Sequence, residues 1–196
     1  MLIGLTGPAG VGKDTVASFM TGYGFSTYAF ARPLKDALRV LGIHEPLTRE
    51  EKEINLPGMP FSYREAAQKL GTEFARELDQ NFWLKLADKA VERNYNTVIT
   101  DVRFDNEASW VRERGGLVVH IIGRKTTVQG ALSRHASENG VHRLMYDVIL
   151  DNSSNKEALL HNVKNLLLKD IPSFLEKQHA LSGRSEFYPV DMLKGR

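Results

Sequence analysis

Leu2-Ile3-Gly4-Leu5-Thr6-Gly7-Pro8-Ala9-Gly10-Val11-Gly12-Lys13-Asp14-Thr15 is the stretch on which the reading of this chain turns. An apolar run that suits a buried strand passes into a glycine-rich turn and then a helix start, the context that a phosphate-wrapping G-x-x-x-x-G-K loop requires. The spacing holds from Gly7 to Lys13, but Asp14 stands where Ser or Thr is usual, and Thr15 follows one place late. Successive backbone N–H groups converge on a phosphate only where no Cβ obstructs them, which Gly7, Gly10 and Gly12 allow. The following helix adds unpaired N–H groups and the positive end of its dipole, and Lys13 has the length to reach the β- and γ-phosphates. Gly7, Ala9, Gly10, Val11, Gly12, Lys13, Asp14 and Thr15 are therefore the candidate nucleotide-binding residues. The bland alternative is a glycine-rich strand-to-helix turn with a surface lysine.

Working outward, 196 residues suffice for one well-buried core and are few for two independent domains. The composition, 42% hydrophobic and 26% charged with a net charge of +2, is that of an ordinary globular protein and gives no bias toward a nucleic-acid polymer. With no cysteine, disulfides, thiolate catalysis and thiolate zinc sites are excluded. The chain enters a strand within two residues, which leaves no room for a signal peptide. No apolar run approaches the ~20 residues needed to cross a membrane, so the cytoplasm is the expected location.

Periodicity predicts a helix over 14–21, a strand over 26–31, and a helix beginning at Arg32-Pro33 with Leu34, Ala37, Leu38 and Leu41 inward. The polar, proline-containing segment 43–60 is an excursion. Ser62 and Glu65 have capping-box spacing, and a helix through Ala67, Leu70, Phe74 and Leu78 follows, weakened at Gly71. A helix over 82–93 precedes the strand Thr97-Val98-Ile99-Thr100-Asp101. Helical periodicity over 106–114 leads to Leu117–Ile122, a near-continuous apolar run that suits a central parallel strand. Asp147-Val148-Ile149-Leu150 is the fifth strand candidate, Asn155 caps a helix over 156–168, and a last turn or two covers 172–179. Strands alternating with helices predict an open, five-stranded parallel sheet in an αβα fold whose ligands lie beyond the carboxyl ends of the strands. The expected organisation is a single domain over about 1–180, with an acceptor region over about 43–93 and a lid over about 124–145. A tail follows over 181–196.

Phosphoryl transfer needs magnesium, positive groups around the travelling phosphoryl and an acceptor held in line. Asp14, Thr15 and Asp101 are the metal-side candidates, since Mg2+ takes carboxylate or hydroxyl oxygens directly or through water. Asp14 can instead stabilise the first helical turn, and Asp101 can orient an acceptor hydroxyl or pair with Arg103. Arg64 and Arg76, after the excursion, have the guanidinium geometry to clamp an acceptor phosphate. In the lid, Arg134 is the candidate for neutralising transition-state charge, and Arg124 for flanking the adenine or the phosphates. His135 with Ser137 and Glu138 is read as local hydrogen bonding rather than a zinc site. Tyr63, Phe74, Phe82 and Trp83 offer ring faces for an acceptor base, each with a core role as the alternative.

Beyond the loop, several segments resemble the phage deoxynucleoside monophosphate kinases, within the wider P-loop kinase fold. They are Gly7 to Thr15, Phe30-Ala31-Arg32-Pro33-Leu34-Lys35, Tyr63-Arg64-Glu65 and Leu70 to Arg76. The Asp79/Trp83 pair, Thr100 to Glu107, His135-Ala136-Ser137-Glu138 and Asp147 to Asn152 extend the similarity almost to residue 170. Phe74 stands where tryptophan is frequent in that family, and Asp105 where proline is. The resemblance implies transfer of the ATP γ-phosphate to a deoxynucleoside 5′-monophosphate. It gives Lys13 the donor phosphates, and Arg32, Arg64 and Arg76 the acceptor phosphate. It gives Asp101 and Arg103 the reaction centre, with Arg134 approaching from the lid, and puts Tyr63, Phe74, Asp79 and Trp83 on the acceptor side. ATP and Mg2+ are the implied cofactors and the monophosphate is the implied partner, with no nucleic-acid polymer and no membrane. An apolar helix face is compatible with a homodimer. The alternatives are another small-molecule P-loop kinase, and a nucleotide-controlled binding module without catalysis.

Overall fold

The computed structural model describes residues 1–48, 50–91, 96–123, 140–145 and 147–182, with side chains as far as residue 176. Two compact units emerge: one from 1–28 with 94–196, the other from 29–93. The segment expected to serve the acceptor thus forms a unit of its own together with the helix that precedes it.

In the first unit the described strands are β1 (Leu2–Thr6), β2 (Ser26–Tyr28), β3 (Thr97–Ile99), β4 (Leu117–Ile122) and β5 (Val148–Asp151). They form one parallel sheet in the order β2-β3-β1-β4-β5. β1, at the centre, is buried at every position and the adjacent β4 at four of its six, as a sheet covered on both faces requires. Ile3 and Leu5, with Val98, Val119 and Ile121, face a core shared with α1 (Lys13–Thr21), α7 (Lys156–Asn165) and the turn that continues α7. On the opposite face Gly4 admits Val111 of α6 (Asp105–Glu113): a Cβ at Gly4 would stand 3.1 Å from a Val111 methyl. Helices therefore cover both faces, giving three αβα layers. Past α7 the helix loosens into a π turn, Leu166–Asp170, and resumes as α8 (Ile171–Ser182). Among the described residues no helix is long and apolar enough to cross a membrane.

β2 is shorter than the expected 26–31. Its one neighbour among the described residues, β3, leaves the sheet after Ile99, so pairing ends at Tyr28↔Ile99 and a closing bond from Thr100 N to the Tyr28 carbonyl. β3 in turn ends early because Val102 N donates to the Leu5 carbonyl at 3.1 Å, turning residues 101–103 toward the end of β1.

The second unit is helical: α2 (Arg32–Val40), a 3-10 turn at Glu51–Glu53, α3 (Tyr63–Gln68), α4 (Ala75–Leu78) and α5 (Phe82–Val91). The predicted capping box is present: Glu65 N donates to Ser62 Oγ and Ser62 N to Glu65 Oε2 at 2.8 Å. Gly71 does not break the helix but lies in a π turn, Lys69–Phe74, that joins α3 to α4.

Candidate functional site

The phosphate loop of the first unit takes the shape the glycines predict. Gly7, Gly10 and Gly12 have φ of 139°, 80° and 105°. At Gly7 a Cβ would sit 2.5 Å from the Ile121 carbonyl oxygen, and at Gly12 one would sit 2.4 Å from Asn152 Nδ2, so neither position accepts a side chain. Gly12 caps α1 with no side-chain hydrogen bond, which leaves the first N–H groups of that helix to an anion. Lys13 curls back over the loop, its Nζ donating to the carbonyls of Gly7 at 2.7 Å and Pro8 at 2.9 Å. A polyphosphate would offer that ammonium stronger, charged acceptors. Asp14 and Thr15 are exposed on the first turn of α1. These features fit a nucleotide triphosphate.

Two residues that the sequence reading did not single out hold this site. Asn152, 2% exposed just past β5, donates from Nδ2 to the Val11 carbonyl at 2.7 Å, and its backbone N–H pairs with Ile122. Its Oδ1 is buried without a hydrogen-bond partner among the described residues. Glu107, 3% exposed in α6, accepts from Arg103 N at 2.7 Å and Phe104 N at 3.2 Å, fixing the turn that carries Asp101 and Arg103. Both lay within segments of family resemblance, but nothing in the spacing marked them as supports.

Asp101 is half-buried and Arg103 exposed on that turn, two and four residues beyond β3. The hard oxygens of Asp14, Thr15 and Asp101 are of the kind magnesium takes, and one or two protein carboxylates are the usual complement. No group of three His, Asp or Glu side chains gathers among the described residues. Arg124, Arg134, His135, Ser137 and Glu138 lie outside the described residues. Of the expected lid, 140–145 are described: Arg143 is exposed, and the segment is tied down through Asp147, as taken up below.

The second unit carries the remaining candidates. Arg32 is exposed at the start of α2. Arg64 is half-buried and paired with Glu53. Arg76 is 7% exposed, with Nη1 donating to the Gln80 carbonyl at 3.3 Å. Tyr63 is 4% exposed, and its hydroxyl has no hydrogen-bond partner among the described residues; burial, with the Glu45 charge second, pushes the phenol up to about 12. Asp79 is engaged locally: ion-paired Lys85 and the Asn81 N–H at 2.8 Å hold its carboxyl below the usual range. Trp83 is 8% exposed, donates from Nε1 to the Gly71 carbonyl at 2.8 Å, and meets Phe82 edge to face. Phe74, by contrast, is 59% exposed.

A parallel sheet with its glycine loop at the carboxyl end of β1, a lysine opening α1 and helices on both faces defines a P-loop phosphotransferase. The model of the deoxynucleotide monophosphate kinase family matches residues 44–163, and the chain belongs to that family. A protein of Acanthamoeba polyphaga mimivirus assigned as a deoxynucleotide monophosphate kinase is 31% identical over 186 residues, covering 83% of this chain and 94% of the relative. The deoxynucleoside-5′-monophosphate kinase of Escherichia phage T5 is 33% identical over 107 residues, 50% of this chain and 42% of the phage protein. Among solved structures, a gluconokinase from Sinorhizobium meliloti 1021 superposes with a TM-score of 0.47 at 15% identity, covering 92% of this chain and 96% of that chain.

Proposed function

We propose that this chain transfers the γ-phosphate of magnesium-bound ATP to a deoxynucleoside 5′-monophosphate, releasing ADP and the diphosphate. Family membership carries the reaction class, and the observation that carries the donor side is the loop itself: three glycines at positive φ, an uncapped helix start and Lys13 folded over them. The loop amides and Lys13 receive the β- and γ-phosphates and stabilise charge as the phosphoryl group moves. Asp14, Thr15 and Asp101 would hold magnesium, which when bound neutralises charge on the donor phosphates and aligns them. Arg103 supports the centre from the turn that Glu107 fixes.

On the acceptor side, Arg32, Arg64 and Arg76 take the monophosphate. The Glu53 carboxylate beside Arg64 is then the counter-anion that the acceptor replaces. Phe74, the one exposed ring among Tyr63, Phe74, Phe82 and Trp83 to stand above half exposure, is the stacking candidate for the base, while Trp83 supports the helix through Gly71. Arg134 keeps the lid role that the family resemblance gives it, and Arg124 the place beside the adenine or the phosphates read from its position in the sequence.

The test is ADP production by the purified chain with ATP and Mg2+, with and without dGMP, dTMP or dCMP and their ribose counterparts. Turnover rising with a deoxynucleotide acceptor supports the reading. Tight ATP binding with no acceptor-dependent turnover across the set overturns it.

A further inference from the structure

The helix from Tyr63 to Leu78 is patterned at four residues per turn rather than 3.6. Glu65, Lys69, Glu73 and Glu77 are all exposed, while Arg64, Gln68, Thr72 and Arg76 are all half-buried or buried. In an α-helix a step of four drifts by roughly 40°, so three steps would carry Arg76 about 120° away from Arg64. The π turn at Lys69–Phe74 changes that. A π turn accommodates one extra residue, which brings the drift down to about 20°. One of its carbonyls is also held from outside the turn, Trp83 Nε1 donating to the Gly71 oxygen at 2.8 Å.

Gln68 and Thr72 lie between the two arginines along this row. Neither side chain makes a hydrogen bond among the described residues. The arginines start ~16 Å apart along the axis, and in the structure they pair with Glu53 and with the Gln80 carbonyl; side chains of their length can reach the middle of the row once an anion competes for them. A phosphate monoester there takes charged donors from both ends and neutral donors from below.

We propose that Gln68 and Thr72 are acceptor-phosphate ligands, set in line with Arg64 and Arg76 by the π turn. This inference rests on the acceptor reading above and adds two binding residues and the device that positions them. Steady-state kinetics on Gln68→Ala and Thr72→Val test it, with Thr72→Ser as the conservative variant. The expected result is a KM for the monophosphate raised about tenfold, by the same factor for dGMP, dTMP and dCMP, with the KM for ATP unchanged and Thr72→Ser near wild type. Unchanged KM values, or a rise confined to one base, would overturn the proposal. Absence of acceptor-dependent turnover in the wild type would instead remove the kinase reading, so the two failures are distinguishable.

Discussion

Asn152 and Val11, 141 residues apart, are joined by a buried 2.7 Å hydrogen bond from the Asn152 side-chain amide to the Val11 carbonyl. The end of β5 thereby grips the middle of the phosphate loop, against the glycine that starts α1. A loop whose N–H groups must point at phosphate needs its carbonyls held elsewhere, and Val11 is where that is done from outside the loop. Asn152→Ala leaves this carbonyl unpaired in a buried place, a loss of about 1–3 kcal/mol. The expected outcome is a KM for ATP raised about tenfold, a lower Tm and an unchanged KM for the monophosphate. Kinetics with each substrate varied in turn checks this, and a rise confined to the monophosphate would refute it.

Gly12→Ala approaches the same contact from the other side. The new Cβ would meet Asn152 Nδ2 at 2.4 Å, and the φ of 105° is one that alanine rarely adopts. Either the loop or Asn152 must move. ATP binding, measured by titration calorimetry, should weaken at least tenfold, whereas Gly42→Ala, at a positive-φ position in open space, should leave ATP binding intact and alter stability alone.

Lys13→Ala removes the ammonium that closes the loop. Since Lys13 Nζ bonds the Gly7 and Pro8 carbonyls in the described chain, its loss also frees these groups, but both lie in a loop at the surface and water replaces the donor. The Tm should therefore change little. Turnover should fall about 100-fold or more, as loss of a charged transition-state donor does. A Tm scan with single-turnover kinetics separates the two effects.

How much of this was legible beforehand follows from where each signal lies. The phosphate loop is contiguous, so its spacing carried both the strand before it and the helix after it, and the capping box at Ser62 and Glu65 was readable for the same reason. Alternation along β1 and β4 was masked by their apolar character, yet that character itself marked them as central. Asn152 and Glu107 were not legible as supports, because each acts on backbone groups whose position depends on the fold. Gly71 was read as a weak point by propensity alone. The missed signal was the fourfold spacing of Glu65, Lys69, Glu73 and Glu77, which no plain α-helix keeps on one face. The early end of β2 was hidden too, since an edge strand is no longer than its neighbour permits.

Arg76 offers a sharper test of the acceptor side than Arg64. It is 7% exposed, so Arg76→Ala removes a mostly buried cation and its bond to the Gln80 carbonyl, and some loss of stability is expected with the kinetic effect. Arg76→Lys keeps the charge but loses the forked geometry. Both variants should raise the KM for the monophosphate, the alanine by about 100-fold and the lysine by less, with ATP affinity preserved. Unchanged kinetics in Arg76→Ala would take this residue out of the clamp.

Asp147 gives the last prediction, in stability against pH. Its side chain is fully buried. It accepts from Arg112 Nη2 at 2.6 Å and Nε at 3.1 Å, from Leu144 N at 2.8 Å and from His120 Nε2 at 3.0 Å. Arg112 Nη2 also reaches the His142 carbonyl, and His142 N donates to Asp105, so the described end of the expected lid hangs on this carboxylate. Burial opposes ionisation of Asp147, but the Arg112 bonds, the Leu144 N–H and His120 outweigh it and hold the carboxyl below its ordinary value. A lowered folded-state value means that the stabilisation is present above the unfolded value of about 3.9 and is lost as pH falls through the folded one. Asp147→Asn breaks the buried pair and should cost about 3 kcal/mol at pH 7. The stability gap between wild type and Asp147→Asn, followed by urea unfolding from pH 7 to pH 3, should narrow toward the acid end. A gap that stays constant over that range would show that the ionised carboxylate is not what anchors the 140–145 segment.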